Sequence, residues 1–410
     1  MSTARRPARR ASPASARWPG RELASPILAL AVLVVVALVT AGLLTGDVPL
    51  PGRASGGGGA GPARTPTPSN VVVVDPRSRV PGTIVFVKTG NIWAQSGAVA
   101  RQLTSSGADS MPSWAPDGSA VYYVHTDYGP GRFPAQGSAR RYDMAVPSLV
   151  RVGPAGDGTP ETLLSGGYRT GQYTWFYFIR QPVPAPGGSQ VAILTDGPDP
   201  MKSDVVVKLI DLSNGKLTSL NLPETAPLGH QDPAWRPDGG VLAYVRPGRD
   251  GARGAAAIWR YDVASKKASA VTGPGYLQPS WSPDGRFLAA TRSDSYGTDV
   301  VILDAGNGRE LLRLTNDERS FAPAWSPAGD AIAFLRVENG IVDLVLLPVR
   351  PIGAAWAAGE ALALTRAAGL DAGSRPSWYI PPDELPKPTA APTEAVPAAP
   401  PGSLGPAGSP

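Results

Sequence analysis

The amino-acid sequence predicts an all-β fold, a six-bladed β-propeller of four-stranded blades, on three observations. A tryptophan-centred phrase repeats along the chain, each copy leads into short apolar strands separated by turn residues, and the two ends of the repeat region complete each other.

The phrase is Pro-x-Trp-x-Pro-Asp-Gly. It occurs as MPSWAPDGSAVYYV from Met111, DPAWRPDGGVLAYV from Asp232, QPSWSPDGRFLAAT from Gln278 and APAWSPAGDAIAFL from Ala322. A diverged copy, YTWFYFIRQPVPAPGGSQVAIL from Tyr173, keeps the tryptophan and lengthens the turn, and RPSWYIPP from Arg375 begins the phrase and stops. The anchoring tryptophans read as Trp114, Trp175, Trp235, Trp281, Trp325 and Trp378, 44 to 61 residues apart.

Each copy reads as a β-hairpin: a strand through the tryptophan, an Asp-Gly turn whose glycine tolerates positive φ, then an apolar strand such as Phe287 to Thr291. Two more strands follow, as in Ala257 to Val263 or Asp299 to Ala305, and Arg309 to Thr315 or Ala361 to Thr365. The aspartates Asp117, Asp238 and Asp284 serve turn geometry, because one per blade places them too far apart for a shared metal or acid pair. The tryptophans are expected to fill the space between adjacent sheets. The last copy offers only its first strand around Trp378, whereas Thr83 to Lys88, Asn91 to Gln95 and Ala100 to Thr104 lack a preceding phrase. Pairing the C-terminal strand with these three closes the ring and leaves no open sheet edge.

The Pro-x-Trp-Ser-Pro-Asp-Gly phrase at Gln278, and blades ending in Leu-Thr at Leu103-Thr104 and Leu314-Thr315, resemble the TolB-like propeller repeats over residues 81–380. The resemblance implies the fold. It is broader in function, since such repeats occur in a periplasmic protein of the Tol envelope system, in propeller domains of prolyl-oligopeptidase-like enzymes and in other envelope proteins.

The flanks read differently. Residues 1–24 hold six arginines against Glu22 and so carry the whole formal charge of +5, which leaves the rest neutral and without the basic face that nucleic acid needs. Residues 25–46 (SPILALAVLVVVALVTAGLLTG) are uncharged and long enough to span a bilayer. The arginines before and Asp47 after place the N-terminus in the cytoplasm and the propeller outside. Val39-Thr40-Ala41 fits a signal-peptidase site, but the apolar run continues through Leu44, so the segment is expected to stay as a signal-anchor helix. Residues 47–80 read as a flexible Gly/Pro-rich linker and 381–410 as a disordered Pro/Ala-rich tail.

Chemistry is sparse. There is no cysteine, and the sequence contains no Gly-x-Ser-x-Gly, Walker loop, Rossmann glycines or His-Glu-x-x-His. His125 and His230 are the only histidines. No catalytic residue, metal or cofactor is therefore expected. The candidate site is the mouth of the central channel, at the residues entering the innermost strands: Asp109, Met111, Tyr173, His230, Asp232, Tyr276, Gln278, Phe321 and Arg375, an aromatic, charged and amide mixture suited to recognition. A second candidate is the insertion from Asp127 to Pro147, with Arg140-Arg141. The expectation is a non-enzymatic, membrane-anchored, monomeric propeller binding a protein or peptide partner in the cell envelope. The alternative is a propeller hydrolase or carbohydrate-active enzyme with its site at the channel mouth.

Overall fold

The computed structural model describes residues 75–386, apart from residues 136–137, 201, 224–228, 248–255 and 354. The basic tail, the apolar segment, the linker up to residue 74 and the tail from residue 387 lie outside the described residues. Among the described residues no helix is long and apolar enough to cross a membrane.

The strands form six antiparallel sheets arranged as propeller blades. The first blade joins the two ends of the domain: Ser377–Tyr379 lies beside Thr83–Lys88, followed by Asn91–Ser96 and Val99–Gln102. Trp378 stands directly opposite Ile84, so the ring closes as its complementary ends require. The second blade runs Asp109–Trp114, Val121–Ala135, Ser138–Val152 and Glu161–Ser165, and the third Arg180–Pro184, Gln190–Thr195, Val206–Asp211 and Leu217–Ser219. The fourth runs Gln231–Trp235, Val241–Arg246, Ala257–Asp262 and Lys267–Ala270, and the fifth Tyr276–Trp281, Phe287–Ser293, Thr298–Asp304 and Glu310–Arg313. In the sixth, Ser320–Trp325, Ala331–Glu338 and Ile341–Ile352 are edged by two short pieces, Ala355–Ala358 and Leu362–Ala363.

Second strands such as Val241 to Val245 are apolar and buried at every position. Both faces of each blade are covered by a neighbouring blade, so the usual alternation of apolar and polar residues disappears. The core accordingly divides into clusters at the six junctions between successive blades, for instance Val85, Ile92, Trp114 and Val150 between the first two. Trp114, Trp281, Trp325 and Trp378 are buried in these junctions and Trp235 packs against one of them, as expected of inter-sheet fillers. In the Asp-Gly turns the aspartate accepts the backbone N–H two residues on, Asp117 Oδ1 from Ser119 and Asp238 Oδ1 from Gly240.

One expectation is corrected. Trp175 does not anchor a blade: it lies in a separate hairpin, Gly167–Thr170 with Tyr173–Phe176, while the innermost strand of the third blade is Arg180–Pro184. The third copy of the phrase is therefore Gln-Pro-Val-Pro-Ala-Pro-Gly-Gly from Gln181, with Pro184 at the tryptophan place. The Trp175 ring instead packs 4.9 Å from Phe133 of the extended hairpin of the second blade. That hairpin, expected as an insertion outside the blade plan from Asp127 to Pro147, is a continuous ladder from Val121–Val152 to Ala135–Ser138.

Candidate functional site

Five of the six innermost strands break register at the residue before the phrase's first proline. Met111, Gln181, Asp232, Gln278 and Ala322 occupy the left-handed region there, with φ between 47° and 54°. Each such residue costs on the order of 1–3 kcal/mol unless its surroundings compensate. The compensation is visible: the bulge frees the residue's N–H from the ladder and turns it toward the preceding blade.

A chain of hydrogen bonds results around the axis. Met111 N–H donates to Ser374 Oγ (3.0 Å), Gln181 N–H to Met111 Sδ (3.2 Å) and Asp232 N–H to Gln181 Oε1 (2.7 Å). Gln278 N–H donates to Asp232 Oδ2 (3.2 Å) and Ala322 N–H to Gln278 Oε1 (2.9 Å). Gln181 Nε2 also donates to Asp232 Oδ1 (2.8 Å), so both oxygens of this buried carboxylate are occupied by neutral donors. The chain is open where Ala322 has no polar side chain to offer the first blade.

Arg375 stands at that opening. Its side chain crosses the axis, donating from Nη1 to the carbonyl of Pro279 (3.2 Å) and from Nη2 to that of Pro233 (3.1 Å). A guanidinium has five N–H donors. Three of them have no partner among the described residues. Burial lowers the pKa of Arg375 from its ordinary value against the opposing pull of Asp232, and the group remains a cation.

Arg375 lines an axial cavity of about 210 Å³ to which all six blades contribute. Its wall is built from phrase prolines (Pro112, Pro182, Pro279, Pro323, Pro376), the tryptophans Trp235, Trp281, Trp325 and Trp378, and Met111, Gln181, Ser113, Ser280 and Ser377. Among the described residues no Asp, Glu or His lines the cavity, and Arg375 is the one charged group of the wall among them.

Of the residues expected at the mouth, Met111, Asp232, Gln278 and Arg375 converge on the axis. The others do not. Asp109 is buried at a crevice beside Leu103 and Tyr123, its Oδ1 2.7 Å from His125 Nδ1, and His125 Nε2 lies 3.3 Å from Asp127. Tyr173 is in the separate hairpin, edge-on to Trp175. Tyr276 donates its hydroxyl to Glu310 at 3.1 Å, and Phe321 packs into the junction of the sixth and first blades. His230 is 2% exposed and edge-on to Tyr244, with Nδ1 accepting from Val207 N–H. Burial first, then the nearby Arg246, lowers its pKa to about 4 against the opposing Asp204, so it is neutral at physiological pH. Gln181 belongs to the axial set and escaped sequence reasoning. Its phase before Pro182, matching Met111-Pro112 and Gln278-Pro279, is the signal that finds it. Among the described residues no group of three or more His, Asp or Glu side chains is placed to hold a metal ion.

Among solved structures the chain is similar to a putative TolB from Agrobacterium tumefaciens, at 18% identity and a TM-score of 0.51, covering 74% of this chain and 95% of that one. TolB from Acinetobacter baumannii is similar at 19% identity and a TM-score of 0.50, covering 72% of this chain and 66% of that one. A chain of the nidogen/laminin complex gives 11% identity and a TM-score of 0.50, over 73% of this chain and 98% of that one. At such identities the likeness establishes the propeller fold. No family model and no curated protein matches the chain.

Proposed function

We propose that this chain is a non-enzymatic propeller of the cell envelope that binds a protein or peptide partner at the axial cavity, with Arg375 receiving a carboxylate of that partner. The observation that carries the reading is Arg375 itself: two donors fix the guanidinium to backbone carbonyls and three remain for an acceptor presented at the cavity. Charge-assisted, forked bonds of this kind are the strong ones. The surrounding proline and tryptophan surfaces suit the apolar flanks of an extended peptide. Hydrolysis of a glycoside requires two carboxylates about 5–9 Å apart, and the cavity wall carries none, which favours binding over catalysis.

The envelope location is part of the proposal, supported by the arginine-rich residues 1–24 and the uncharged 22-residue segment after them, which suit a span with a cytoplasmic N-terminus. The test uses the full chain in membranes with a photo-crosslinking residue at Ser113. We expect a discrete crosslinked partner that is lost in a second chain carrying Arg375→Gln, with both chains melting within a few degrees of each other. Equal crosslinking by the two chains would overturn the proposal.

A further inference from the structure

We propose that the extended hairpin of the second blade and the short hairpin beside it form a site for a phosphate-bearing ligand, held by Arg132, Arg141 and Arg169. The evidence begins with register. Arg132 and Arg141 stand directly opposite each other across the ladder, which puts two guanidinium side chains on one face with Cβ atoms about 5 Å apart. Like charges so placed destabilise a hairpin. Arg169, from Gly167–Thr170, joins them around a cavity of about 400 Å³ whose wall also includes Gln172 and Thr174 and, among the described residues, contains no carboxylate.

These arginines differ from six others in the molecule that are held in ion pairs. Arg77, Arg151, Arg236, Arg292, Arg313 and Arg336 each have an acidic partner within 4.0 Å. Arg132, Arg141 and Arg169 make no ion pair or hydrogen bond with the described residues, and all three are exposed. The acids of the same hairpin form no ion pair with them: Asp127 faces His125, and Asp143, two residues along the strand from Arg141, forms none with the described residues.

The two hairpins that carry these arginines pack together without any ligand. Phe133 packs on Trp175 at 4.9 Å and on Tyr142 at 6.5 Å, which ties the two hairpins together. Gly131 permits this approach, since a Cβ there would overlap Met144 and crowd Thr174. Three forked guanidiniums offer more donors than the two oxygens of a carboxylate accept. A phosphate, with about two negative charges and at least three acceptor oxygens, matches both the charge and the donor count.

Phosphate of this chemistry comes either on a small soluble molecule or on a lipid headgroup. The full chain, purified in non-ionic detergent, is titrated calorimetrically with inorganic pyrophosphate, and separately with dihexanoyl phosphatidic acid, whose headgroup is a phosphate monoester, against dihexanoyl phosphatidylcholine. We expect saturable binding of pyrophosphate, weakened about tenfold or more by Arg132→Gln, by Arg141→Gln and by Arg169→Gln, and weakened again by added salt. Phosphatidic acid bound with the same arginine dependence, and phosphatidylcholine not, assigns the site to headgroups; pyrophosphate alone assigns it to soluble phosphates. Failure of both probes to saturate, or binding that survives the triple substitution, overturns the proposal. The three side chains are exposed and outside the inter-blade core, so melting temperatures of the variants should match or slightly exceed the parent's, and a loss of binding without a lower melting temperature is a loss of the site.

Discussion

Ring closure is open to a direct energetic test at Trp378. Its ring is 8% exposed in the junction between the sixth and first blades, its Nε1 donates to the carbonyl of Pro81 at 3.0 Å, and its backbone lies opposite Ile84. Replacement by alanine removes a buried aromatic and opens a cavity, which costs about 3–5 kcal/mol. Against a typical total stability of roughly 5–15 kcal/mol, that is about a fifth or more of what holds the ring together. Trp235 is the control: it is only partly buried, and its Nε1 has no partner among the described residues. Urea unfolding followed by far-ultraviolet circular dichroism measures both variants. Trp378→Ala should lose clearly more stability than Trp235→Ala. A loss below about 1 kcal/mol, or one smaller than at Trp235, would refute the idea that this strand seals the propeller.

Other expectations follow from the same geometry. The folded-state pKa of His230 is about 4 against an ordinary 6.5, so the native state binds fewer protons; its contribution is complete above pH 6.5 and falls away as the pH drops toward 4, by about 3 kcal/mol in all. Urea midpoints at pH 7 and pH 4 should show this loss, and His230→Gln should remove most of it. Gln181→Ala leaves Asp232 N–H and one of its carboxylate oxygens without partners, and should cost about 2–4 kcal/mol by denaturant melts. Asp232→Asn removes the counter-charge near Arg375, so carboxylate-dependent partner capture should hold or rise while it disappears in Arg375→Gln; parallel losses would show that the ring's integrity, not the cation, controls binding. Trp175→Ala should leave the melting temperature within about 2 °C, because its packing lies outside the inter-blade junctions, while speeding proteolysis within the extended hairpin.

Most of the ring was legible because the phrase carries its own mechanism: a tryptophan for the inter-sheet space, an Asp-Gly turn, then an apolar strand. The third blade was misread where the mechanism is split, with Pro184 in the tryptophan's place and Trp175 nearby but committed to Phe133, a residue distant in sequence. The site was half legible for a related reason. Asp109, His230 and Tyr276 each precede by two a residue that does reach the axis, and along a regular strand such neighbours share a face. The bulge at Met111, Asp232 and Gln278 interrupts that alternation, so the earlier side chains turn into the blades. Nothing in the local sequence announces a left-handed residue before proline. The arginine site was illegible beyond Arg140-Arg141, since Arg169 comes from a different hairpin.

The seam of the first blade also decides how the domain answers a mechanical load. The chain enters at Gly82, whose N–H donates to Glu384, and leaves past Trp378, so both attachment points sit at the same end of one antiparallel strand pair. Tension between them peels that pair open one bond at a time instead of shearing its ladder at once. Only three residue pairs hold Thr83–Lys88 to the last strand. A pull on both flanks would therefore unlatch the first blade before any other, and with it the wall that carries Arg375.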